Sequence, residues 1–313
     1  LYIRAAAKTG QKNWSPTARK DLPFVKAVGK EAFEVNGSKY GTWKEAVSAL
    51  EKAGSGEIIL RDDVELQEKD EFPSVSCTIR SGDERKCKIK GGVMEAKADI
   101  AFENVVYDVR RIYGNGYSVT IGTDVETTFS FMKRSIFAGV AYDAEEKEIT
   151  ANPVISVESG KFVLYGSGSG GTTLKGNVES RVKGTAEAEV AGAYMNSTVD
   201  GKVTVTVEDQ ASLSEFLGEQ NKGSAKELEL ILMGSPKLDG RTFRGTVNGT
   251  PKGTLNLRQA SLSPEQAEKF KDFAEILKAD SPAAEENLLT KPAVEVETEA
   301  MEKEKAAEEA VAI

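Results

Sequence analysis

The chain has 313 residues and a formal net charge of -9, with 29 Gly, 9 Pro, two Cys and no His. Phosphate affinity comes from clustered Lys and Arg, so this balance argues against general nucleic-acid binding. Without His there is no imidazole base and no Ser-His-Asp or Cys-His nucleophile system, and two Cys are too few soft ligands for a structural zinc.

Residues 1–33 show no clean period, and Asn13-Trp14-Ser15-Pro16 followed by Leu22-Pro23 breaks any helix, so the segment reads as an extended arm. It is basic: Arg4, Lys8, Lys12, Arg19, Lys20, Lys26 and Lys30 stand against Asp21. The chain begins at Leu1 without Met and lacks a signal-type apolar core, which reads as a processed or excised piece of a longer precursor. A mean hydropathy of -0.37, with no apolar run near the roughly 18 residues required, predicts no membrane span.

The stretch from Asn36 to Leu66 reads as a short strand and turn, one amphipathic helix over 42–53, a Gly-Ser-Gly turn and the apolar strand at 57–60. Thr42 and Glu45 have the spacing of a capping box. Trp43, Ala46, Val47 and Leu50 share one helical face, so the helix has an apolar side to bury. Strand after short strand succeeds it along the chain, and a lone helix ahead of them predicts a cap over the open end of a β-stack. The run V-N-G-x-x-Y-x-T-W-x-E-A-V followed by G-x-I-x-L-x-x-D-V resembles the entry segment of pectate-lyase-like right-handed β-helix domains of bacterial cell-surface and adhesive proteins. Residues 34–66 carry that resemblance, and the Gly- and Thr-rich strands to about 257 are similar in character without a strict motif.

Beyond that stretch, strands are predicted at 76–80, 87–93, 100–109, 117–121, 127–132, 154–157, 162–165, 172–174, 186–190, 202–207, 228–232 and 253–257, with Gly, Asn and Asp between them. Alternation such as Val203-Thr204-Val205-Thr206-Val207 gives each strand one buried face. The fold class is therefore mainly β, a right-handed parallel β-helix over 34–260 with capping helices near both ends, and a β-sandwich is the structural runner-up. No fixed period is evident. Roughly 20 to 25 residues per turn would stack about eight rungs about 4.8 Å apart, a rod about 40 Å long.

Cys77 and Cys87 lie ten residues apart in neighbouring strand candidates, SVSCTIR and KCKIK. A disulfide staple and two buried free thiols both fit, the bridge gaining weight if the protein is secreted. Gly166-Ser167-Gly168-Ser169-Gly170-Gly171 looks like a phosphate loop, but a strand pattern comes after it, so it reads as a solenoid turn. A second helix is predicted within 261–281, opened by Ser263-Pro264-Glu265-Gln266 and striped by Ala267, Phe270, Phe273, Ala274 and Leu277, as a C-terminal cap.

Residues 282–313 form an acidic Ala- and Glu-rich tail, within which 293–298 alternates like an edge strand. Two solvated termini are one reading. The other is a head-to-tail contact between copies, with Arg4, Lys8, Lys12, Arg19 and Lys20 on one side and Val294, Glu295, Val296, Glu297 and Glu299 on the other.

The resemblance also implies an alternative activity, a calcium-dependent polysaccharide lyase with acidic calcium ligands and an Arg or Lys base. The residues available are Asp62, Asp63, Glu65, Arg80, Asp108, Arg110 and Arg111, and they form no recognised constellation. Asn13, Asn36, Asn196 and Asn248 each open an N-x-Ser/Thr sequon, which marks exposed turns in a glycosylating host. The sequence thus leads to a secreted or cell-surface protein without catalytic residues, metal or cofactor. Its expected role is structural or adhesive, with self-association or matrix and host glycans and proteins as partners.

Overall fold

In a parallel stack each strand is bonded above and below by strands from other turns, so apolar and polar residues must alternate in step from turn to turn. That condition is met in the computed structural model, which describes residues 31–67, 70–82, 85–128, 133–240 and 243–279. The chain winds into a β-solenoid of about eight turns. Each turn lays one strand in a first sheet and one in a second, and within each sheet successive turns pair in parallel. The sandwich alternative is excluded by this topology.

The register contains a period that the residue identities conceal. Ile155, Ser180, Val205, Leu230 and Leu255 stack in one column of the first sheet, each 25 residues after the last. Ile112, Ile136, Leu164, Val190, Phe216, Phe243 and Phe270 form the matching column of the second sheet, all buried. What repeats is the apolar class, which Ser180 replaces once; identity is kept only from Ile112 to Ile136, from Leu230 to Leu255 and from Phe216 through Phe243 to Phe270.

At the N-terminal end the helix Trp43–Ala53 (α1) forms as its sequence dictates. Thr42 Oγ1 accepts from the Glu45 amide, the Glu45 carboxylate accepts from the Thr42 amide, and Gly54 closes the helix at φ 84°. Trp43, Ala46 and Leu50 are buried against the first turn. Trp43 also donates from Nε1 to the Glu71 carbonyl at 2.8 Å. Edge-to-face rings run from Phe33 through Trp43, Phe72, Phe102 and Tyr107 to Phe162, tying the cap to the interior.

The C-terminal end departs from the predicted helix. Only one turn forms, Pro264–Ala267 (α2), with the capping box of Ser263 and Gln266 intact. The chain then adds Phe270–Lys271 to the second sheet and Glu275–Leu277 to the first, with Asp272 between them at φ 57°. Phe270 stacks on Phe243 and Phe273 on Phe216, so the aromatic stripe that suggests a helix is spent on closing the last turn. Tertiary burial of two Phe rings overrides a short run of helical propensity.

Cys77 and Cys87 are free and buried in this structure. Cys77 stands in the first sheet between Gly56 and Ile100, whereas Cys87 precedes the second-sheet strand Lys88–Glu95 and its Sγ lies 3.4 Å from the Leu60 carbonyl oxygen. Burial pushes the Cys77 thiol up to about 12 and raises Cys87 as well.

The packing leads to two expected outcomes. Gly192 has no room for a methyl group, since its Cβ would meet the Gly218 carbonyl oxygen at 2.6 Å and Leu228 Cδ1 at 2.8 Å. Gly192→Ala is expected to lower stability by about 1–3 kcal/mol, measured as a shift in the urea midpoint. A thiol count under denaturing, non-reducing conditions should find two free thiols, with Cys77 protected from alkylation in the native state. Because the folded-state pKa of Cys77 is raised from 9.0 to about 12, its contribution is complete below pH 9 and is lost as pH rises through that interval.

Candidate functional site

The outer face of the second sheet carries polar side chains that line two adjoining grooves. On it Arg111, Ser135, Val163, Glu189 and Glu215 form one column, five turns deep. Tyr113, Phe137, Tyr165, Ala191 and Leu217 form the next. Between them lies a groove of about 360 Å³, continued by a second of about 330 Å³ that shares Lys133, Val163 and Glu189. A third of about 600 Å³ shares Arg110 with the first.

Charge is graded along the first groove. Arg110 and Arg111 stand at the end nearer the cap, Glu189 and Glu215 lie further along the same column, and Lys133 crosses to Glu189 at 2.5 Å. A partner lying along this face would meet a cationic end and an anionic end rather than one sign of charge.

The aromatic column does not offer ring faces to a ligand. Tyr113 and Phe137 are stacked at 4.6 Å and Phe137 and Tyr165 at 4.4 Å, and Tyr194 tilts against Tyr165 at 4.4 Å from outside the column, so the rings cover one another's faces. Arg111 covers the Phe137 ring at 5.8 Å. Tyr113 and Phe137 are buried, and burial pushes the Tyr165 hydroxyl up to about 12. This ladder sits outside the main core and packs on Ala141.

The Gly166–Gly171 run is the turn beside that ladder, as its sequence context predicts. Ser169 Oγ meets the Tyr113 hydroxyl at 3.0 Å, Ser167 Oγ accepts from the Tyr194 amide, and the amides of Gly170 and Gly171 both donate to the Met195 carbonyl. These N–H groups are therefore spent on the fold and cradle no phosphate.

Of the residues that sequence reasoning offered for lyase chemistry, Asp62, Asp63 and Arg80 lie apart from the grooves. Asp62 and Asp63 both bind Arg85, and the Asp63 carboxyl is held below its usual range first by the Lys88 amide. Glu65 pairs with Lys90 at 2.7 Å and Arg80 with Glu57 at 2.8 Å. Asp108 accepts from Arg134 and from Thr128 Oγ1, and Arg134 is buried. Arg110 and Arg111 line the first groove, and Glu65, Asp108 and Arg110 line the third together. Among the described residues no three of the Cys, Asp and Glu side chains converge as metal ligands would, and no helix is long and apolar enough to cross a membrane.

No family model, curated protein or solved structure matches this chain. The likeness of residues 34–66 to surface β-helix proteins therefore rests on those residues and on the fold.

The assembly residues expected in the termini, Arg4, Lys8, Lys12, Arg19, Lys20, Val294, Glu295, Val296, Glu297 and Glu299, lie outside the described residues, as does Asn13. Asn36, Asn196 and Asn248 sit at exposed turns with φ between 51° and 58°. Sequence reasoning missed Lys133, Tyr165, Glu189 and Glu215. The signal that would have found them is their spacing of about one turn, 26 residues from Val163 to Glu189 and again to Glu215.

Asp108→Asn separates a structural role from a chemical one. It removes the carboxylate facing the buried Arg134 guanidinium, and the expected loss is about 2–4 kcal/mol of unfolding free energy in urea titration.

Proposed function

We propose that this chain is a non-enzymatic module of a secreted or cell-surface assembly, a stiff spacer whose second-sheet face contacts extracellular glycans or proteins. The observation that carries the reading is the use made of charge. Most of the ion pairs join residues about one turn apart, as in Arg80–Glu57, Arg85–Asp62, Lys90–Glu65, Lys183–Glu158 and Lys202–Glu229. Of the residues offered for a lyase, Asp62, Asp63, Glu65, Arg80 and Asp108 are committed to ion pairs that fasten one turn to the next, as a load-carrying stack requires. The resemblance of residues 34–66 to adhesive surface β-helices adds support from the fold alone.

The alternative is a calcium-dependent polysaccharide lyase, and it is favoured by the presence of Arg110 and Arg111 in a groove. One experiment addresses both readings. The full chain is incubated with acidic polysaccharides and calcium while unsaturated product is monitored, and is screened in parallel against immobilised glycans and matrix proteins. The expected outcome is no product at any pH, together with binding that weakens at least about tenfold in Arg111→Ala or Glu215→Ala. Product that forms with calcium and disappears in Arg80→Ala or Arg111→Ala would overturn the reading in favour of the lyase.

A further inference from the structure

The first sheet ends at both extremities on a short strand that is bonded on one side only among the described residues. Its outermost members are Ser38–Tyr40 at the capped end and Glu275–Leu277 at the other. Unpaired edges of this kind are templates for another strand.

The two edges match in three respects. Each is three residues long, with its first two residues exposed and its third half-buried. They also run in the same direction. Ser38–Tyr40 is antiparallel to Phe33–Val35, which is antiparallel to Gly56–Leu60, so two reversals restore the direction shared by every later strand of the sheet. A second copy stacked end on end would thus extend the ladder in the parallel sense used throughout the solenoid.

The third match is in surface chemistry. Beside Ser38–Tyr40 lies a groove of about 670 Å³ whose apolar floor includes Tyr40 and Ala49 and whose rim carries Lys44 and Lys52. Glu45, also on it, is held by Thr42 in the cap. At the opposite end Ile276 is 47% exposed on its strand, preceded by exposed Ala274 and Glu275. The C-terminal edge thus carries Glu275 beside an exposed Ile276, and the N-terminal edge carries Lys39, which pairs with Glu31 of its own chain at 3.1 Å, with Lys44 and Lys52 in the groove beside it.

We infer that the chain associates end to end with a second copy of itself, Glu275–Leu277 of one molecule pairing in parallel with Ser38–Tyr40 of the next. The contact is heterologous, so it does not close and its product is a filament. This deepens, and rests on, the reading of the chain as a structural module; it replaces charged termini by strand edges as the joining surfaces.

The test is sedimentation velocity of the full chain from about 1 to about 300 µM, a range suited to a small contact, with negative-stain microscopy of the same samples. The variants are K39E, E275K and the double variant, each with its thermal midpoint checked against the parent. All three change exposed side chains, so their folding should be unaffected. The expected result is a sedimentation coefficient that rises with concentration, association at least about tenfold weaker in each single variant, and recovery in the double variant, where the charges are exchanged. A monomer at every concentration would overturn the inference, as would association indifferent to both substitutions or loss without recovery. Association that instead requires residues 1–30 or 283–313 and ignores the edge charges would also overturn it, in favour of the charged termini. Polysaccharide cleavage is read separately: a monomer without lyase product leaves the structural reading standing, while product sinks that reading whatever the state of assembly.

Discussion

The backbone ladder between successive turns governs everything else in this molecule. A single turn of about 25 residues has too little apolar surface to bury itself, so it is stable only when its strands pair with those above and below. That pairing fixes the register, and the register places Ile155, Ser180, Val205, Leu230 and Leu255 in one interior column. It also limits what can stand where turns approach most closely. Gly166, Gly192 and Gly218 each lie against the backbone carbonyl of the next turn, at distances that leave no space for Cβ.

The same ladder makes the two ends special, because the first and last turns have a neighbour on one side only. The N-terminal end is closed by α1, whose Trp43 is fixed both by ring contacts and by its bond to the Glu71 carbonyl. The C-terminal end is closed from within, by Phe270 stacking on Phe243 of the turn before and Phe273 on Phe216 two turns back. Among the described residues, the helix across one end hides the core but leaves the edge strand beside it bonded on one side only, and the last strand at the other end is likewise bonded on one side only. The asymmetry of the caps thus produces two different but matching surfaces.

On the outside, stacking converts sequence separation into contact. Residues one turn apart become lateral neighbours, so most of the charged surface is absorbed by pairs such as Lys202–Glu229, where Asn256 adds a second bond to the carboxylate. Burial alone would raise the Glu229 carboxyl, and these two donors outweigh it and hold it below its usual range. The outer aromatic column works in the same way, since rings one turn apart meet face to face and stiffen the groove wall instead of presenting a sticky face.

Features with local causes were legible in the residues alone. Thr42 and Glu45 specify the start of α1, the Asn residues at 36, 196 and 248 specify turns at positive φ, and the alternation from Val203 to Val207 specifies a half-buried strand. The mainly β class and the solenoid emerged from these together with the capping helix. The remaining features were settled by packing, because their cause lies one turn away. The 25-residue period is carried by apolar class and is broken by Ser180, so in this column identity repeats only from Leu230 to Leu255. Phe270 and Phe273 have helical spacing, and only the presence of Phe243 and Phe216 beneath them makes a strand the better burial. Lys133, Glu189 and Glu215 are far apart in the chain, and the winding of the solenoid alone brings them onto one face with Arg111.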